Sequence, residues 1–165
     1  KGQPAKPVSN LGAVRRGEMA QAAKLLGARV FWGGFADGTL ADERPGRLKL
    51  IEFYRQFRPT LVLAHSVADY HPDHRAASRL AEATTWFCAS RGHKTRSPAL
   101  RQAPTLWWMD TVGMDEFIPD FFIDITQHVE LKRQMMRCHQ SQLSRGKDPD
   151  FADLSQLMRL RDEAR

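Results

Sequence analysis

A compact apolar run, Thr60 to Ala64 (TLVLA), opens directly onto Asp69-Tyr70-His71-Pro72-Asp73-His74, a loop dense in imidazole and carboxylate, and a helical pattern follows. Runs of this kind are buried on both faces in parallel sheets, so the segment is expected to be an inner strand of such a sheet. Elsewhere the apolar spacing alternates between two periods. Met19, Ala22, Ala23 and Leu26 fall on one helical stripe from Arg15 onward, and Gly27 supplies the stop. Arg29 to Phe35 (RVFWGGF) reads as a strand running into the loop Ala36-Asp37-Gly38-Thr39. Pro45 opens a second helix carrying Leu50, Ile51, Tyr54 and Phe57, closed by Pro59. A third is predicted from about His74 to Ala89, with Ala77, Leu80, Ala81, Thr84 and Phe87 inward. Thr105–Met109 and Asp120–Ile125 read as further strands. Thr126 is expected to cap a helix reaching about Gln140, and a last helix spans roughly Asp150 to Arg165. Strands alternating with helices specify an α/β, Rossmann-like, three-layer fold with a mostly parallel sheet. One domain is expected over residues 1–165, with Lys1 to Gly12 a flexible loop.

Composition narrows the function. At 165 residues and 42% apolar content the chain can bury a core, which excludes coiled coil and wholesale disorder. No apolar run exceeds four residues, far short of the roughly 20 that span a membrane, and no secretory leader is read at the start. The net charge of +6 comes from Lys and Arg mixed with acids, without a basic run interleaved with exposed aromatics, so nucleic acid is not the expected partner. Cys88 and Cys138 lie in helical segments rather than a close-spaced framework, which suits a reducing compartment and makes the cytoplasm the default. Homo-oligomerisation is left open.

In open parallel sheets, ligands collect beyond the carboxyl ends of the strands. The loops after Ala64 and after Phe35 both sit there, and both carry acidic or imidazole side chains. Imidazole is a good neutral ligand for zinc, and a neighbouring carboxylate fixes the tautomer of a ligating or catalytic His. Pro72 restricts His71 to extended backbone, so His71 points from the loop and His74 from the start of the helix, in different roles. A solvated loop with Asp73 as helix N-cap accounts for the same spacing, and a lone His-x-x-His falls short of the three ligands a zinc site wants.

The order of motifs resembles the LmbE-like, or PIG-L-like, family of zinc-dependent N-acetylglucosaminyl de-N-acetylases. VRRGEMAQAAKLLGA, with Arg15 and Glu18, resembles the family's Arg-x-x-Glu helix, and GGFADGTL its Pro-Asp-Gly loop with Ala36 in place of Pro. RPTLVLAHSVADYHPDHRAA is very close to its strand and Asp-x-His-Pro-Asp-His signature. PDFFIDIT and the later HQSQ resemble its Asp-Ile strand and His-x-Ser-Gln tail. The resemblance implies a zinc-dependent hydrolase, zinc or another divalent metal being held in part by His74. It implies His71 as the oxyanion-stabilising imidazole and Asp73 as the carboxylate orienting it, with Arg15 and Asp37 on the sugar-binding side of the pocket. The implied partner is an N-acetylated amino sugar or its glycoconjugate. The family's His-Pro-Asp-Asp motif, which carries two further zinc ligands and the general base, does not occur in the 165 residues. The domain is therefore expected to be incomplete at both ends. A non-catalytic sugar-binding or assembly subunit on the same fold is the alternative.

Other residues are expected to do structural work. His65 closes the strand and could reach the same site, but is read as hydrogen-bonded there; His93, His128 and His139 lie on loop or helix surface, His139 within HQSQ suiting packing or capping as well as catalysis, and Asp124 is a structural carboxylate or one that supports a ligand from behind. Trp107 and Trp108 alternate across a strand, so one should be core. Asp37-Gly38 equally suits an ordinary turn.

Overall fold

The computed structural model describes residues 9–111, 113, 116–143 and 154–164. These form α1 (Leu11–Leu25), α2 (Arg44–Phe57), β1 (Leu61–His65), α3 (Pro72–Phe87) and β2 (Thr105–Met109), then a 3-10 turn (Thr126–His128), α4 (Val129–Arg137), α5 (Gln140–Leu143) and α6 (Leu154–Ala164). The fold is a helix-rich α/β fold with a parallel sheet. Its chain divides into two compact units, residues 33–120 and residues 1–32 with 121–165.

The sheet belongs to the unit of residues 33–120. β1 and β2 pair in parallel, with Leu61 opposite Thr105 and His65 opposite Met109, and α3 is the connection between them. Small residues let α3 approach the strands closely: Ala76, Ser78, Ala81, Thr84 and Thr85 are all buried, alongside Leu80. Trp108 on β2 donates its indole N–H to Ser78 Oγ at 3.1 Å. α2 packs against α3 through Ile51, which is fully buried, and Gly46. Pro45 sits in its first turn, where no N–H is needed, and the helix closes with Arg58 in the left-handed region (φ 55°), its amide donating to the Tyr54 carbonyl, ahead of Pro59.

In the other unit Asn10 caps α1 by accepting from the Ala13 amide at 3.2 Å, so the helix starts ahead of the apolar stripe. Gly27, at φ 62°, closes it as expected. α1 packs on α4 and α5. Glu18, only 8% exposed, accepts from the Ser141 amide at 2.6 Å and its hydroxyl at 2.7 Å. Among the described residues no helix is long and apolar enough to cross a membrane.

Several expectations are corrected. Arg29–Phe35 and Asp120–Ile125 are not strands, because the sheet of the described residues has only two and neither segment pairs with it. The aromatics of the first meet cations instead: Arg16 lies 5.1 Å from the Trp32 ring and Lys49 5.3 Å from that of Phe35. Phe121, Phe122 and Ile123 are more than half exposed. β1 is covered on one face only, with Ala64 buried and Leu61 and Leu63 exposed. α3 begins at Pro72, with His71 rather than Asp73 as N-cap. Thr126 is not a cap either; its own amide is bound by Asp124 Oδ1 at 2.8 Å. Positions 150–153 of the expected last helix, and Arg165, lie outside the described residues, as does most of the Lys1–Gly12 loop.

Candidate functional site

β1 ends at His65, and the next nine residues fold into a knot of hydrogen bonds around one buried carboxylate. Ser66 starts it, its hydroxyl accepting from the Ala68 amide at 3.1 Å. Asp69 is 3% exposed, and its Oδ1 accepts from the His71 amide and faces His74 Nδ1, each at 2.9 Å. Arg75, one residue beyond His74, donates to the carbonyls of Asp69 at 2.7 Å and Tyr70 at 3.0 Å, which pins the loop to the helix it precedes. His71 takes the extended conformation that Pro72 dictates (φ −91°, ψ 129°).

These bonds fix the two imidazoles in opposite senses. A carboxylate only accepts, so the proton of neutral His74 sits on Nδ1 and its Nε2 offers a lone pair. His71 Nδ1 accepts from the Asp73 amide at 3.2 Å, so the proton of neutral His71 sits on Nε2, as a donor. One ring therefore presents a ligand atom and the other a hydrogen-bond donor. Their centroids are 4.8 Å apart, and the His74 side chain is 31% exposed. Tyr70, largely exposed, stands edge-on to both rings at 5.9 and 5.7 Å.

His65 stacks on His74 with centroids 4.3 Å apart and planes 6° from parallel. Burial pushes its pKa below the ordinary histidine value, and the adjoining His74 ring pushes the same way against the opposing pull of Asp69. Donor atoms of His65, Asp69 and His74 all lie within 4.8 Å of one another, a set that can hold a metal ion. The stack makes His65 the less suitable ligand, since an imidazole lone pair lies in its ring plane and two parallel rings direct theirs side by side rather than to one point. By donor type His74 and Asp69, with His65 less favourably directed, match a divalent cation such as zinc.

The expected residues divide between the units. His71, Asp73 and His74 share the start of α3, and Asp37 comes to the same place. It sits exposed on the turn Ala36–Thr39, closed by the Thr39 amide on the Ala36 carbonyl at 3.3 Å with Gly38 at φ 80°. Asp73 binds that turn, accepting from the amides of Gly38 at 2.6 Å and Leu40 at 3.2 Å. Its carboxylate thus holds a loop rather than orienting His71, which is oriented by the Asp73 amide. Arg15 is half-buried on α1 in the other unit, with Arg16 exposed beside it. His139 passes its carbonyl to the amides of Gln142 and Leu143, starting α5, and Asp124 serves the turn at Thr126, whose hydrogen bonds lower its pKa. Asp69 has no role in the sequence reading, although it stands five residues before His74 in the same hexapeptide; its burial is the missing signal.

The family model described as PIG-L, GlcNAc-PI de-N-acetylase, matches residues 1–85. A 4-oxalmesaconate hydratase of Pseudomonas putida is 30% identical over 127 residues, which cover 75% of this chain and 49% of the hydratase. A conserved protein of Thermus thermophilus superposes with a TM-score of 0.76 at 30% identity, over 92% of this chain and 66% of that one. The N,N'-diacetylchitobiose deacetylase of Pyrococcus horikoshii gives 0.77 at 26% identity, over 88% and 58%. The chain thus spans about half the length of the curated relative.

Proposed function

The chain belongs to the PIG-L family of GlcNAc-PI de-N-acetylases, and from that premise we propose that it is a metal-dependent hydrolase removing the N-acetyl group of an amino sugar or its glycoconjugate. The observation that carries the reading is the opposed hydrogen bonding of the two rings at the head of α3, His74 Nδ1 facing the Asp69 carboxylate and His71 Nδ1 facing the Asp73 amide. His74, oriented by Asp69, would hold a divalent cation, zinc for preference, through Nε2. A cation there supplies Lewis acidity toward the acyl oxygen. His71 Nε2–H donates to the oxygen that gains charge when water attacks the amide carbon, which is usually the largest catalytic contribution of a polar side chain. Cleavage of the carbon–nitrogen bond then yields acetate and the free amine. The turn carrying Asp37, held by Asp73, would form one edge of the sugar side of the site; a sugar-binding role for Arg15 rests on the family resemblance of its helix alone. Free cysteines at 88 and 138 fit a cytoplasmic setting.

A second reading follows from the hydratase relative: the same pair of imidazoles adding water across a carbon–carbon double bond of an unsaturated carboxylic acid. The two are separated by assaying the full chain for acetate release from N-acetylglucosamine derivatives and for loss of absorbance of an unsaturated dicarboxylate. Acetate release supports the first reading; hydration alone overturns it. In the His71→Ala variant, metal content should stay unchanged while turnover falls about 100- to 1000-fold. In His74→Ala the metal itself should be lost, and a variant that keeps both metal and full rate removes His74 from the site.

A further inference from the structure

We propose that the loop between α3 and β2 forms a second ligand site, a cationic cleft that binds a phosphate-bearing anion of two or more negative charges. Residues 83–109 include no Asp or Glu, yet they carry Arg91, Lys94, Arg96 and Arg101. The first three line a cleft of about 530 Å³ together with His93, Thr95 and Pro98. All three cations are exposed, and among the described residues none is in an ion pair.

The loop is built, not loose. Arg55 of α2, 5% exposed, reaches under it and donates to the carbonyls of Cys88 at 3.0 Å, Ser90 at 2.7 Å and His93 at 2.8 Å, and to Thr95 Oγ1 at 2.8 Å. Glu52, one turn earlier, accepts from the Ser97 amide at 3.0 Å and hydroxyl at 2.8 Å. With its main chain gripped from inside, the loop holds its cations on the outside, where like charges repel unless an anion neutralises them. A helix C-terminus also attracts cations, but here that role is filled by Arg55, which takes the Cys88 and Ser90 carbonyls beyond the last turn of α3. The exposed three are left over. His93, its ring stacked on Phe87 at 4.2 Å, lines the same cleft. Arginine and lysine around a small concavity suit the multiple acceptor oxygens of phosphate.

The cleft is separate from the histidine site. His74 lies in the first turn of α3 and the loop leaves its last, about 20 Å away at 1.5 Å per residue. Binding here is therefore independent of the hydrolase reading, and either can fail alone.

The test titrates inorganic pyrophosphate into the full chain at low salt, followed by amide chemical shifts and calorimetry. Saturable binding should move the amides of 91–97 and leave those of 69–75 in place. The triple variant R91A/K94A/R96A should weaken it at least 10-fold at an unchanged melting temperature, while R133A/R137A on α4 leaves it unaltered. Sedimentation with phosphatidylglycerol vesicles, against phosphatidylcholine, tells a lipid headgroup from a free phosphate compound. Triple-variant-sensitive binding in either arm upholds the site and names its source. Absence of binding in both arms, shifts only at 69–75, or equal affinity in the triple variant overturns it.

Discussion

A histidine that ligates a metal through one nitrogen almost always has its other nitrogen hydrogen-bonded, and at His74 the partner of Nδ1 is Asp69. The carboxylate also holds the His71 amide, so one buried side chain fixes the His74 ring and the main chain from which the His71 ring projects. Asp69→Asn keeps the shape but removes the charge that favours a proton on His74 Nδ1. Metal affinity, read by competition with a chromogenic chelator, should fall about 10-fold with the circular dichroism spectrum unchanged. An unaltered affinity would mean that His74 needs no such partner. The hexapeptide makes His71 and His74 visible as candidates, because Pro72 forces them onto different local backbones. It cannot reveal Asp69 as their common support, since a carboxylate in a polar loop is indistinguishable in sequence from a solvated one. Asp73 is misleading for the same reason: its true partners, Gly38 and Leu40, stand more than thirty residues away.

Helices are more legible than strands, and the reason is where their hydrogen bonds go. α2 and α3 satisfy their main chains internally, so prolines and apolar spacing locate them to within two or three residues. A strand is completed by a neighbour, and Arg29–Phe35 has strand-like residues without one. Between these elements, Glu52 of α2 fastens the loop after α3, and its pKa is lowered to about 2, the Ser97 amide being the main cause. Because the folded value lies below the usual carboxylate range, the contribution of Glu52 to stability is complete above about pH 4.5 and fades as the pH falls toward 2. Wild type and Glu52→Gln should therefore differ in urea midpoint at pH 7 and converge near pH 2. A gap that persists at pH 2 would rule out the carboxylate charge as its source.

At the scale of the molecule, each of the two units joins distant parts of the chain. Glu18 and Ser141, 123 residues apart, bring the Arg-x-x-Glu helix and the HQSQ segment into one contact that neither motif announces alone. Glu18→Ala leaves the Ser141 amide and hydroxyl buried without their acceptor, at a cost of about 1–3 kcal/mol in chemical denaturation; a loss below 0.5 kcal/mol, on the order of a neutral surface change, would show that water replaces the carboxylate. In the other unit the grip of Asp73 on the turn at residues 36–40 acts only on main-chain amides. Any residue but proline offers that amide at position 40, so the side chain there can be exchanged without loosening the turn's hold on the helix that bears His74. The outward face of the turn can thus be rewritten without disturbing the main-chain clasp that ties it to the head of the helix.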